Sequence, residues 1–397
     1  MNTYTIIIVL SAIVLASYLL DLVSSKIKIP SVIVLILSGI GLRLFTDSLN
    51  LQIPMLDAIL PPLGTIGLIL IVLEGSLDLE LSKEKVILIK RASLSAVALI
   101  VLTTAAMTAL IYYVFHASLL QSLVNAVPLA VISSAVAIPS AQGLGKNTQE
   151  FVVYESSLSD ILGVVLFNFV VGQEDFGIAS FGQFGFNIFL TIVLAIVACL
   201  GLSLLLTRIR HHVKFLPIIS VLLLIYATAK VWHLSPLLIV LLFGLFANNT
   251  HLITHSKFVA WFHLDRIEEE VNRFEHLTAE MAFIIRTFFF IIFGYLADIG
   301  TMLHWEVVGM GALIVAIILA LRVGYLAIAF AGTERKLFPI ALIAPRGLIT
   351  ILLFLTITPA ATVVGINQGL LMTVVIGSAL AMMLGIMLTP QQAMQEK

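Results

Sequence analysis

The sequence predicts an all-α polytopic membrane protein with about thirteen transmembrane helices. Three observations lead there. Of its 397 residues, 60% are hydrophobic and only 11% charged, where a soluble domain would carry roughly 25% charged residues. The apolar residues come in continuous runs of about 20, the length that crosses a hydrocarbon core roughly 30 Å thick. The runs lack the alternation of a lipid-facing β-barrel, so helices are the way to satisfy the backbone in lipid.

Taken in chain order, the spans fall at roughly 4–22, 29–46, 58–77, 92–115, 122–141, 151–172, 184–207, 215–232, 234–249, 277–298, 306–331, 337–358 and 366–389. The first run lacks a basic leader and a small-residue cleavage site, which makes it a retained helix. The eighth and ninth share only "HLSP" between them. Cys199, the single cysteine, lies inside the seventh span, which rules out an internal disulfide and reads as a buried structural thiol. No Gly-rich phosphate loop, CxxC pair or HExxH is present, so no cofactor is expected. A net charge of −1 gives no reason to expect a nucleic-acid partner.

The basic residues orient the chain. Lys26, Lys28, Lys83, Lys85, Lys90, Arg91, Lys146, Arg208, Arg210, Lys214, Lys257, Arg266, Arg273, Arg335, Lys336 and Lys397 all fall in alternate loops or at the C-terminus. The opposite loops carry acids, among them Asp47, Asp57, Glu174 and Asp175. The positive-inside rule then puts the N-terminus outside and the C-terminus in the cytoplasm, as an odd number of spans requires. Between the ninth and tenth spans, the loop from Ser256 is amphipathic; its Phe258, Trp261, Phe262 and Leu264 suit the headgroup layer.

Five basic residues lie within or at the ends of spans: Arg43, Lys230, Arg286, Arg322 and Arg346. Ionisable residues inside a span are functional candidates by default. Counted from the cytoplasmic end at 1.5 Å per residue, Asp160 lies about 15 Å deep in the sixth span, and Arg346 and Arg286 reach similar depth. Arg322, nearer the cytoplasmic side, is placed to snorkel.

Two spans look broken at that level. "SSAVAIPSA" from Ser133 contains Pro139, which cannot donate a helical hydrogen bond, and "IAPRGLIT" from Ile343 places Pro345, Arg346 and Gly347 in mid-span. Interrupted helices at corresponding places in two halves point to a transporter's ion site. "LEGSLDL" ends the third span and "FGYLADI" ends the tenth, seven spans later. That odd offset implies an inverted repeat of spans 1–6 and 8–13, with 184–207 as the linker helix.

The chemistry concentrates in "YESSLSDILGVVLF" from Tyr154. Ser156 and Asp160 are i, i+4 neighbours, with Ser159 adjoining. A carboxylate, hydroxyls and freed carbonyls are hard oxygen ligands suited to a small cation. Glu155 points about 140° away and calls for an arginine, Arg346 being the first candidate and Arg286 the second. Arg286 could otherwise set the local field. No nucleophile–base or metal-ligand constellation accompanies the carboxylates, so a transporter is expected rather than an enzyme.

At these residues the chain resembles the monovalent cation:proton antiporter superfamily, in its Na+/H+ exchanger branch. "YESSLSDILGVVLF" is similar to that branch's sixth-helix pattern of glutamate-serine, two residues, then asparagine-aspartate. "LEGSLDL" is similar to its "FEGGLDL", "RTFFFIIFGYLAD" to its "FFFVLLG" run, and "APRGLIT" to its "GPRG" helix. The resemblance implies Na+ (or K+ or Li+) and H+ binding in alternation at Asp160, with Ser156, Ser159, Ser133 and Ser134 as further ligands and Glu155–Arg346 as a core ion pair. It implies a homodimer of single transmembrane units spanning 1–397. Mobile core helices would lie within 92–172 and 277–389, scaffold or dimerisation helices within 1–77 and 215–250. The broken fifth and twelfth helices would cross, and an elevator-like movement of the core would exchange the ions electroneutrally. The expected location is the inner membrane of a bacterium. Two departures stand out: Ser159 replaces the usual asparagine, and Ala135-Val136 follow Ser133-Ser134 where the branch reads threonine-aspartate. Two rival functions follow, a K+/H+ exchanger or K+ efflux system on the same fold, and a degenerate antiporter serving as a sensor or subunit.

Overall fold

The computed structural model describes residues 29–48, 56–77, 79–82, 84–142, 144–172, 178–208, 215–232, 234–250, 267–330 and 340–388, with isolated helical positions 11, 14, 15, 18 and 19. The remainder of the first expected span, Asp78, and the amphipathic-loop residues Phe258, Trp261, Phe262 and Leu264 lie outside the described residues.

All regular structure among the described residues is helical. In order the helices are α1 (Ser31–Ser48), α2 (Leu56–Leu77), α3 (Val86–Phe115), α4 (Leu119–Ala130), α5 (Ser134–Ala141), α6 (Lys146–Val171), α7 (Ile178–Arg208), α8 (Phe215–Val231), α9 (Pro236–Asn248), α10 (Ile267–Tyr295), α11 (Ile299–Met302), α12 (Trp305–Ala329), α13 (Leu348–Leu355) and α14 (Gln368–Met387). Among the described residues, eight segments are long and apolar enough to cross a membrane, with α4 and α5 together forming one of them. The shorter apolar α8 and α9, the more polar α6 and the broken segment around α13 account for the other expected spans after the first.

Local chemistry sets the turns. At the end of α3, His116 takes a left-handed conformation (φ 51°), which reverses the chain. Two residues later Ser118 caps α4, its hydroxyl accepting the Gln121 N–H while the Gln121 side chain accepts the Ser118 N–H, both at 3.2 Å. This reciprocal box stabilises the helix start by satisfying two otherwise orphaned donors.

The fifth span is broken, but not at Pro139. Helix α4 stops at Ala130, Val131–Ser133 run extended, and α5 restarts at Ser134 with Pro139 inside it. Pro139 only removes one donor near the end of α5, whereas the break is held by groups from other helices. Pro128, in the last turn of α4, lies immediately before the break. The twelfth span breaks where expected: a short 3-10 turn (Ile340–Leu342) is followed by extended Ile343–Gly347 and then α13. The two extended segments meet, with the Ser133 N–H donating to the Pro345 carbonyl at 2.9 Å.

Around this meeting point α6 packs on α3, α4 and α5, while α14 packs on α12, and α12 on α3. Elsewhere α10 packs on α1 and α2, and α9 on α2, α7 and α8. The α1–α10 contact is a backbone crossing. A Cβ at Gly39 would lie 2.1 Å from the Ile291 carbonyl oxygen, and one at Gly294 would lie 2.2 Å from that of Ile36. Close approach through small residues is how helices gain packing in lipid, where no hydrophobic drive separates helix from solvent.

Candidate ion-binding site

The break in the fifth span exposes backbone groups deep inside the protein, and each has a specific partner. On α6, Asp160 is 2% exposed, and its Oδ2 accepts the Ser134 N–H at 3.0 Å as well as the Ser134 hydroxyl. The neighbouring Ser159 hydroxyl accepts the Ile132 N–H at 2.9 Å. Two adjacent α6 side chains therefore hold the start of α5, and the Asp160 carboxylate sits at the positive end of that half-helix. The other carboxylate oxygen, Asp160 Oδ1, is buried and has no hydrogen-bond partner among the described residues. The same holds for the Ser133 hydroxyl, one residue from Ser134.

Arg346 satisfies the opposite side of the break. Its Nε donates to the Leu129 carbonyl at 2.8 Å, Nη2 to Ala130 at 3.3 Å and Nη1 to Ala344 at 2.9 Å. Leu129 and Ala130 end α4, so their carbonyls have no helical donor to meet, and a guanidinium at this negative helix end is electrostatically favourable. The Arg346 N–H is in turn taken up by the Ser378 hydroxyl of α14 at 2.9 Å.

The structure does not bring Glu155 to Arg346. Glu155 pairs with Arg322 of α12, whose Nη2 donates to Oε2 at 2.6 Å and Nη1 to Oε1 at 3.2 Å. Ser95 of α3 donates to Oε1 at 2.5 Å, and Arg322 Nε donates to the Ile340 carbonyl at 3.0 Å. Arg322 is 1% exposed, so it does not snorkel; it ties α6, α3, α12 and the 3-10 turn together. The physical reason is depth. Glu155 lies five residues nearer the start of α6 than Asp160, nine residues or about 13.5 Å from that start, and Arg322 lies seven residues or about 10.5 Å from the end of α12. Matching depth for each carboxylate separately would have found the pair.

Of the other expected ligands, Ser156 donates to the Val152 carbonyl at 2.7 Å, in its own helical turn. No hydrogen bond joins it to Asp160. Arg286, half-buried on α10, reaches the Ala135 carbonyl at 3.5 Å. Ala135 is four residues before Pro139, so this is the carbonyl that the proline leaves without a donor.

A buried carboxylate with one orphaned oxygen thus stands beside the crossing of two interrupted helices. The profile described as "Sodium/hydrogen exchanger, transmembrane" matches residues 9–391. The chain belongs to the sodium/hydrogen exchanger family. No curated protein sequence matches it significantly. In three dimensions this exchanger-family chain is similar to the sodium proton antiporter MjNhaP1 from Methanocaldococcus jannaschii. The likeness to its structure at pH 8 has a TM-score of 0.70 at 16% identity, covering 98% of this chain and 96% of that one. For a second MjNhaP1 structure, from an electron-microscopy map, the TM-score is 0.68 at 17% identity with the same coverage. The fold of this exchanger is thus that of the antiporter, and the chain is an integral membrane protein. Within it, the "APRG" arginine serves as a clamp on backbone carbonyls, and the "ES" glutamate as half of a buried ion pair.

Proposed function

We propose that this member of a cation/proton antiporter family exchanges Na+ for H+ at Asp160 and is a transporter rather than an enzyme. The observation that carries the reading is Asp160 Oδ1, a buried carboxylate oxygen without a partner among the described residues, next to the orphaned Ser133 hydroxyl. An isolated ionised carboxylate is far too costly to keep in an apolar interior, so it takes up either a proton or a cation. Competition for one carboxylate couples the two fluxes without ATP, and one cation for one proton makes the exchange electroneutral.

Alternating access is an elevator-like movement of a core containing α3–α6 and α12–α14 against a scaffold of α1, α2, α8 and α9, to which α10, within the core range by sequence, is added for its packing on α1 and α2. The mutual packing of α3, α6 and α12, and the separate packing of α10 on α1 and α2, support that division. The basic loops support an N-terminus outside and a cytoplasmic C-terminus. A homodimer in a bacterial inner membrane completes the reading, with pH and cation homeostasis as its use.

Reconstitution into proteoliposomes with an imposed pH gradient tests this. Na+, Li+ and K+ are added in turn, with Asp160→Asn as control. Na+-driven proton flux that is lost in Asp160→Asn is expected. Flux with K+ alone would make the chain a K+/H+ exchanger, absence of any flux would favour a sensor or subunit, and full flux in Asp160→Asn would overturn the site.

A further inference from the structure

The reading of Asp160 leaves the cation's remaining ligands open, and one residue outside the expected set is built to supply one. We propose, on the strength of that reading, that the Thr350 hydroxyl is a cation ligand and a determinant of ion specificity, closing the shell begun by Asp160 Oδ1 and Ser133 Oγ from the twelfth-span side.

Thr350 is fully buried at 0% exposure, and its hydroxyl has no partner among the described residues. Threonines in membrane helices ordinarily satisfy the hydroxyl by donating to the carbonyl four residues back. That bond is present at Thr191, Thr278 and Thr373, each 2.7–2.9 Å from its acceptor. Thr350 stands in the first turn of α13, where the residue four back, Arg346, is still extended, so its hydroxyl has no helical carbonyl to donate to. A buried hydroxyl left unpaired carries a desolvation penalty that a bound cation would remove.

Other unpartnered buried side-chain oxygens lie on α3 (Thr104, Thr108), α4 (Ser122, Asn125 Oδ1) and α6 (Ser157), but only Thr350 stands in the first turn after the twelfth-span break. Gly347 caps α13, and a Cβ there would lie 2.6 Å from Ser133 Oγ. The N-terminal end of α13 is therefore pressed against Ser133. Thr350 follows one turn later, at the third position of α13. Ser133 adjoins Ser134, which holds Asp160, and α13 itself packs against α6. Three unpaired buried oxygens thus come from three different segments that meet at the two breaks: a carboxylate on α6, a hydroxyl at the fifth-span break and a hydroxyl in the first turn of α13. One carboxylate with neutral hard oxygens is a ligand set for a small, largely dehydrated monovalent cation. Because Thr350 is neutral, it adds affinity without changing the one-for-one charge balance. Because it stands on the span opposite Asp160, it also sets the width of the cage and so favours Na+ or Li+ over K+.

The test uses the full chain, with Thr350→Val removing the hydroxyl at nearly constant shape, Thr350→Ala removing it without a β-branch, and Thr350→Ser retaining it. Binding of 22Na+ to the purified protein is measured beside Na+- and K+-driven proton flux in proteoliposomes. Thr350→Val and Thr350→Ala should weaken 22Na+ binding and raise the apparent KM for Na+ by roughly tenfold, the loss expected for one contact to a charged group. Their preference for Na+ over K+ should narrow, while Thr350→Ser stays within about threefold of wild type. Wild-type Na+ binding and KM in either hydroxyl-free variant would overturn the proposal. So would a Thr350→Ser variant as weak as Thr350→Val, because the methyl group and not the hydroxyl would then matter. Asp160→Asn separates the two claims: if it is inactive while Thr350→Val is unchanged, only the Thr350 assignment fails.

Discussion

Removing the guanidinium of Arg322 would strand a charge, and its effect can be worked from the contacts. Arg322→Met keeps an unbranched apolar stem but deletes the donors to Glu155 Oε1 and Oε2 (3.2 and 2.6 Å) and to the Ile340 carbonyl (3.0 Å). Glu155, 1% exposed, would retain only the Ser95 hydroxyl. Breaking a buried pair by deleting one partner costs about 3–5 kcal/mol, chiefly because the surviving charge is uncompensated. Glu155→Gln should cost about the same, since it strands Arg322. The double variant Glu155→Gln/Arg322→Met removes both charges, and its loss should fall short of the sum of the singles by at least about 2 kcal/mol. Reversible unfolding in mixed micelles, titrated with a denaturing detergent, measures all three against wild type. A loss below about 1 kcal/mol in Arg322→Met, or singles that simply add in the double variant, would refute a stabilising buried pair.

Two further outcomes follow from other contacts. Arg346→Lys keeps the charge but not the planar fork that reaches Leu129, Ala130 and Ala344, so it should destabilise by about 2–4 kcal/mol in the same unfolding assay. At the start of α3, Lys85 bridges Glu80 (2.9 Å) and Glu150 (3.2 Å). The hydrogen bond to Glu80, reinforced by Glu150, holds its ammonium above the ordinary value of 10.5 against a smaller opposing effect of burial. A raised lysine stabilises fully below its unfolded value, and that stability is lost as the pH rises through the folded one. Lys85→Met should therefore cost under about 1 kcal/mol at neutral pH, and the difference from wild type should shrink in unfolding curves taken at increasing pH above the lysine's ordinary value.

Much of this was legible in the sequence because it is written in hydropathy and in rare intramembrane residues. The span pattern, the break at Pro345-Arg346-Gly347 and the singularity of Asp160 needed only local chemistry. The site's partners needed more. Arg322 sits in "LALRVGY", an unremarkable run for a span end, and only depth-matching with Glu155 marks it out. The fifth-span break was sought at Pro139, the visible breaker, yet the chain unwinds at Val131–Ser133. There the choice is made by Ser159, Asp160 and Arg346, which replace helical hydrogen bonds with tertiary ones. Ser156 shows the converse: its spacing from Asp160 suits a ligand, while its hydroxyl is engaged with Val152. Which hydroxyls turn inward depends on rotamers set by neighbours, and spacing alone does not specify them.

The crossing of the two breaks also constrains how the protein is made. The carbonyls of Leu129 and Ala130 and the N–H of Ser133 find their partners in Pro345 and Arg346, more than two hundred residues later in the chain. While ribosomes are still delivering the second half, the fifth span has nothing in the bilayer to replace those bonds. The first half alone can hold only the Ile132 and Ser134 N–H groups, through Ser159 and Asp160, so the break is expected to be complete only once the second half inserts. Cutting the gene between α7 and α8 should yield two pieces that membrane proteases clear when each is made alone and that persist when both are made together.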